Sequence, residues 1–207
     1  MEFGTDLTEC ARVVADGGVA VVATDTLYGL VADIRCPQAV GRVLAIKGRE
    51  AGRGVPVLVK HAVQAAEITA FTDEARRLAD AFWPGGLTLV LPGLGSVDRR
   101  LLGPGSTVGI RAPDSEIVRR IIDVVEAPIT GTSANLAGQA PAATAREAAD
   151  MLGNAVDYVL DTAVGAAIAS TIINLSQKPP IVIREGVIAM PELRVLVPDI
   201  FVAADEV

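Results

Sequence analysis

Between Gly17-Gly18 and Thr24-Asp25 the chain carries five apolar residues in a row, Val19 to Ala23, with no polar alternation. A short, uniformly apolar strand of this kind is one covered on both faces. Ahead of it, Leu7, Ala11, Val13 and Val14 recur near a 3.6-residue spacing and stop at the two glycines, which predicts a helix with a glycine C-terminus. Beyond it the same alternation continues. Helices are expected over Pro37–Ile46 with Pro in the first turn, Ala62–Ile68, Asp73–Phe82, Ser115–Val125 and Thr144–Leu152, where Thr144 and Glu147 form a capping-box pattern. Strands are expected at Val55–Val59, Leu87–Leu91, Val108–Arg111, Pro128–Thr130, Tyr158–Leu160, Thr171–Leu175 and Ile181–Arg184. Intermixed strands and helices predict an α/β fold: a single-domain twisted mixed sheet with helices on both faces. The last strands are joined too closely for helical crossovers, hence mixed rather than all-parallel. The domain is expected to span residues 1–189, and the 190–207 tail, apolar but aperiodic, is assigned no element.

Composition narrows the classes. Hydrophobic residues make up 51% of 207 positions and aromatics 3%, so Ala, Val, Ile and Leu must fill the core, and disorder is excluded. No apolar run reaches the eighteen or so residues of a membrane span. The opening Met1-Glu2-Phe3-Gly4-Thr5-Asp6 is acidic, without the apolar core of a signal peptide, which predicts a cytoplasmic protein. Cys10 and Cys36 have neither metal-ligand nor redox-motif spacing and are read as reduced, structural thiols. A net charge of −7 argues against a protein devoted to a nucleic-acid backbone. A histidine triad or zinc site would rest on the lone His61, and both are discounted.

Polar residues gather where strands end, and no P-loop or Rossmann fingerprint is present. Thr24-Asp25-Thr26-Leu27-Tyr28-Gly29 follows the first strand and suits either a capped turn or a small polar substrate. Lys47-Gly48-Arg49 and Arg53 lie on a Gly-rich stretch that is either an exposed basic loop or a polyphosphate clamp. Thr130-Gly131-Thr132-Ser133-Ala134-Asn135 packs donors around a glycine after a buried strand. Arg111 and Arg184 each end a strand, where a cation needs an anion, whether a ligand or a structural carboxylate. Together these cations predict a focused anion site in an acidic protein.

The order Thr24-Asp25-Thr26-Leu27-Tyr28-Gly29-Leu30, Lys47-Gly48-Arg49, Phe82-Trp83-Pro84-Gly85, Thr107-Val108-Gly109-Ile110-Arg111, Thr132-Ser133-Ala134-Asn135-Leu136-Ala137-Gly138 and Ser170-Thr171-Ile172-Ile173-Asn174 resembles the YrdC-type threonylcarbamoyl-AMP synthase family, in its short form. The resemblance runs from Val19 to Gly186. It implies a twisted mixed sheet with a concave basic cleft, and formation there of threonylcarbamoyl-adenylate and pyrophosphate from L-threonine, bicarbonate and ATP, with Mg²⁺. The product would pass to a tRNA threonylcarbamoyl transferase for modification of adenosine 37, with weak tRNA binding possible. By motif, Thr26, Arg111 and Ser170 would hold threonine. Arg49, Thr107, Ser133, Asn135 and Arg184 would line the nucleotide side, with Lys47 and Arg49 on the phosphates. The family usually has Pro where this chain has Ala23, Glu50, Gly54, Gly86 and Glu185, and a Ser where it has Pro141. Glu50 and Glu185 place negative charge next in sequence to Arg49 and Arg184. These departures keep two other readings open: a diverged paralogue with another carbamoyl or adenylate substrate, and a non-catalytic RNA-binding module.

Overall fold

The computed structural model describes residues 1–48, 53–163 and 168–202. In chain order its elements are β1 (Glu2–Gly4), α1 (Leu7–Ala15), β2 (Ala20–Ala23), β3 (Tyr28–Val31), α2 (Pro37–Ile46), β4 (Val57–Leu58), α3 (Ala62–Ile68), α4 (Asp73–Phe82), β5 (Leu87–Pro92), β6 (Thr107–Arg111), α5 (Glu116–Val125), β7 (Ile129–Thr130), β8 (Thr132–Ser133), α6 (Ala145–Leu152), β9 (Tyr158–Leu160), β10 (Thr171–Asn174), β11 (Ile181–Arg184), α7 (Met190–Leu196) and β12 (Phe201–Val202). Short polar side chains start the helices by accepting otherwise orphaned N–H groups: Asp6 for α1, Thr72 for α4, Ser115 for α5 and Thr144 for α6. At α6 half of the expected capping box is made, the Thr144 hydroxyl accepting from the Glu147 N–H at 3.1 Å; the Glu147 carboxylate reaches back past the cap to the Ala143 N–H at 2.8 Å. Among the described residues no helix is long and apolar enough to cross a membrane.

The mixed α/β fold expected from the sequence is present, with its strands divided between two sheets. One runs β1-β9-β2-β3-β8 and the other β12-β11-β10-β5-β6-β4-β7, and each contains both parallel and antiparallel pairs. The chain crosses from the second to the first between β7 and β8, where the Gly131 N–H donates to the Pro56 carbonyl at 2.8 Å.

The first sheet is buried on both faces, as its apolar strand requires. Ala20 and Val22 face α1 and α5, through Cys10, Ala11, Val14, Val118 and Ile122. Val19, Val21 and Ala23 face the other way, into the core shared with α2 and α6. Each large apolar side chain so buried contributes about 1.5–3 kcal/mol. Burial also pushes the Cys10 thiol up to about 12, which makes it an inert core residue.

The second sheet is covered differently on its two sides. Leu87, Leu89 and Leu91 of β5, Ile173 of β10 and Val182 of β11 pack under α4 and α7. The alternate residues Thr88, Val90, Gly109, Arg111, Ile172 and Asn174 point the other way and line an open cleft. The region after Met190, which has no legible periodicity, supplies α7 and an edge strand. Met190, Leu193, Val197 and Ile200 are buried against the floor strands, and β12 pairs in parallel with β11.

Candidate functional site

A cleft of about 680 Å³ lies between the sheets. The first sheet contributes Tyr28 and Gly29 of β3 and Thr132 and Ser133 of β8; the second forms the floor. Thr26, Thr107, Arg111, Ser133, Ser170 and Arg184, far apart in the chain, all line it. Lys47 and Asn135 do not: they lie buried behind Ser133. Arg49 and Glu50 lie outside the described residues. Among the described residues, Arg53, Arg111 and Arg184 are the charged members of the lining, and no carboxylate belongs to it.

Arg111, only 6% exposed, closes one end of β6 and is fixed on three sides. Its Nε donates to the Gly85 carbonyl at 2.8 Å, one Nη to the Thr26 hydroxyl at 2.7 Å, and the other to the Asp25 carboxylate at 2.5 Å. Of the two readings of this arginine, the structural carboxylate is the one observed, in Asp25. The arginine also faces the cleft. Burial lowers its pKa, and Asp25 opposes that shift by favouring the charged form. Thr26 is held by a turn organised around Thr24. The Thr24 Oγ1 donates to the Leu27 carbonyl at 2.7 Å and accepts from the backbone N–H groups of Thr26 and Leu27. The capped turn and the polar site are thus one structure.

Across the floor, Ser170 sits just before β10. Arg184 donates to its carbonyl from Nε at 3.1 Å and Nη2 at 2.8 Å, and to its hydroxyl at 3.2 Å. Partial desolvation, and then the nearby charge of Arg111, lower the Arg184 pKa. Two guanidiniums that repel one another across a cleft favour an anion between them. The Ser170 hydroxyl is also 2.9 Å from that of Thr88. Gly186 permits this arrangement, since a Cβ there would come within 2.8 Å of the Ser170 carbonyl oxygen.

On the opposite wall Lys47 ends α2 with its ammonium engaged by the turn after β8. It donates to the Asn135 Oδ1 at 2.6 Å, the Ser133 carbonyl at 3.0 Å and the Asn135 carbonyl at 3.1 Å. The Ser133 hydroxyl closes the knot on Asn135 Oδ1 at 2.6 Å. The Thr107 hydroxyl donates to the Pro104 carbonyl at 2.9 Å, which leaves its lone pairs for a ligand N–H or O–H.

The sequence departures read differently in three dimensions. Gly54 has φ of +41°, which proline cannot adopt. Glu185 turns its carboxylate onto the Met190 N–H at the start of α7, at 3.1 Å. Pro141 lines the cleft and His61 caps α3. Thr88 and Asn174 were not singled out in sequence, although both line the cleft. The available signal at Thr88 is one hydroxyl inside the otherwise apolar run Leu87 to Leu91.

The profile of the Sua5/YciO/YrdC family, described as "telomere recombination", matches residues 12–186. The threonylcarbamoyl-AMP synthase of Pyrococcus abyssi is 33% identical over 196 residues, covering 92% of this chain and 56% of that protein. That of Idiomarina loihiensis is 32% identical over 165 residues, covering 78% of this chain and 89% of that protein. The crystal structure of P. abyssi Sua5 complexed with L-threonine matches with a TM-score of 0.91 at 28% identity, covering 98% of this chain and 62% of that one. The chain thus spans little more than half of the P. abyssi protein and most of the I. loihiensis protein. The matched residues 12–186 take in every side chain that lines the cleft, and the chain belongs to the Sua5/YciO/YrdC family.

Proposed function

We propose that this chain forms threonylcarbamoyl-adenylate and pyrophosphate from L-threonine, bicarbonate and ATP. The observation that carries the reading is the convergence, in one cleft, of Thr26, Thr107, Arg111, Ser133, Ser170 and Arg184. Thr26, Arg111 and Ser170 would take the threonine. Thr107, Ser133, Asn135 and Arg184 would face the nucleotide, with Arg49 on its phosphates. Lys47 would act from behind the wall, shaping the Ser133–Asn135 turn and adding positive charge there.

The chemistry suits such a cleft. The threonine amine adds to CO2 derived from bicarbonate, forming an N–C bond and releasing a proton. A carbamate oxygen then attacks the α-phosphorus, and pyrophosphate departs with the electrons of the broken P–O bond. Both reactants are anions, so Arg111 and Arg184 lower the cost of bringing them together. Once the carbamate exists the step calls for positioning rather than proton transfer, which agrees with a cleft lined by arginines and hydroxyls. Among the described residues no three His, Cys, Asp or Glu side chains converge, and Asp25 is committed to Arg111. These residues do not build a Mg²⁺ site; a metal would enter on the phosphates of ATP.

The test is pyrophosphate release from purified protein given ATP, bicarbonate and one amino acid at a time. Release that requires L-threonine is expected. Release with another amino acid only, or none at all, would replace this reading with the diverged-paralogue or the non-catalytic one.

A further inference from the structure

Two hydroxyls in the cleft share one electronic arrangement. Thr26 Oγ1 accepts from Arg111 Nη1 at 2.7 Å, and Ser170 Oγ accepts from Arg184 Nη2 at 3.2 Å. A hydroxyl that accepts from a guanidinium is polarised and becomes a better donor. At Thr26 the neighbouring hydroxyl among the described residues, Thr24 Oγ1, already accepts from two backbone N–H groups, at 3.1 Å each. The Thr26 proton is therefore available to the cleft.

At Ser170 the direction depends on Thr88. These two side chains carry two hydroxyl hydrogens and share one hydrogen bond, 2.9 Å long. One hydrogen must therefore find its acceptor elsewhere. Thr88 is 3% exposed, and among the described residues Ser170 Oγ is its sole hydrogen-bond partner, so a buried Thr88 O–H is satisfied only by donating there. Ser170 then accepts twice, from Thr88 and from Arg184, and both its lone pairs are filled. Its own hydrogen is directed into the cleft.

We infer that Thr88 is a positioning residue that fixes the Ser170 hydroxyl as an obligate donor to an oxygen of the amino-acid substrate. The inference rests on the threonine reading above. Thr88 itself need not touch substrate; by donating to Ser170 Oγ it fills the lone pair that Arg184 leaves open and so pins the rotamer in which the Ser170 hydrogen points into the cleft.

The experiment measures steady-state pyrophosphate release for Thr88→Val, Thr88→Ala and Thr88→Ser, with thermal unfolding recorded for each. Thr88→Val keeps the shape and removes the donor, so KM for L-threonine should rise roughly three- to tenfold, the loss of one oriented hydrogen bond. The kcat and the KM for ATP should stay within about twofold, and Thr88→Ser should restore the KM for threonine. An unchanged KM for threonine in Thr88→Val, a serine variant that does not restore it, or a fall in kcat alone would overturn the inference. So would valine and alanine variants that both fail to fold while serine folds, which would assign Thr88 to stability. Failure of the wild-type protein to release pyrophosphate with threonine would instead sink the proposed activity, a separate outcome.

Discussion

At Arg111 three of the five guanidinium N–H groups are engaged by the protein before any ligand arrives. Two remain, which is the number a carboxylate accepts side by side. Asp25 makes this possible by compensating the charge of a nearly buried cation. Removing one partner of a buried pair leaves the other uncompensated, at a cost of about 3–5 kcal/mol. Asp25→Ala is therefore expected to lower stability by about that amount in urea unfolding, and the double variant Asp25→Ala/Arg111→Met should recover much of it. A single variant as stable as wild type would show that the pair is not what holds this end of β6. The sequence places Arg111 at a strand end and poses its two readings, ligand or carboxylate. It cannot show that the arginine meets a carboxylate while still facing the cleft, because Asp25 and Arg111 are distant in the chain and meet only when the two sheets assemble. Lys47 is the complementary case. As a cation on a glycine-rich stretch it reads as a phosphate contact, while its burial behind Ser133 depends on a turn nearly ninety positions away.

The elements themselves were largely legible, for physical reasons that differ between helix and strand. Pro37–Ile46, Ala62–Ile68 and Asp73–Phe82 agree with expectation to the residue, since periodicity and breakers coincide there. The strand Tyr28–Val31 was hidden inside a polar cluster, and Thr132–Ser133 inside a run of small hydroxyls. Tyr28–Val31 is a strand by pairing with β2 on one side and β8 on the other, and Thr132–Ser133 by pairing with β3, which no local pattern encodes. Val55–Val59 shrinks to Val57–Leu58 because Pro56 has no N–H to donate, Val55 donates to the Leu101 carbonyl outside the strands, and Val59 only closes the ladder on the Arg111 carbonyl at 2.9 Å. One link between elements carries a pH signature. Asp157, just before β9, accepts from the Val19 N–H at 2.8 Å and from both Nη groups of Arg42 on α2, at 2.6 and 2.9 Å. Burial works against its ionisation, but the Arg42 hydrogen bond, the Val19 N–H and the Arg42 charge hold its carboxyl below the usual range. A depressed folded pKa contributes stability above the unfolded value of about 4, lost as pH falls through the folded value. The stability gap between wild type and Asp157→Asn should thus be full at pH 7, narrow below about pH 4, and close at lower pH; a gap independent of pH would refute the coupling.

For the whole molecule, the decisive asymmetry is that one sheet is covered twice and the other once. The uncovered face of the second sheet is the cleft, and its other face depends on α4 and on α7, the helix no sequence pattern predicted. Leu193 is fully buried beneath the floor strands β5 and β10. Leu193→Ala should therefore cost about 2–5 kcal/mol in chemical unfolding, although the residue packs on the face of the sheet away from the cleft. A loss below about 1 kcal/mol would mean that the floor stands without α7. Because side chains alternate along β5 and β10, neighbouring positions answer to different demands. Leu87, Leu89 and Ile173 answer to packing, while Thr88, Val90 and Ile172 answer to whatever enters the cleft. Such a scaffold can drift in ligand preference one alternate position at a time while its foundations stay constant, so divergence of specificity and conservation of fold become separable histories written on the same strands.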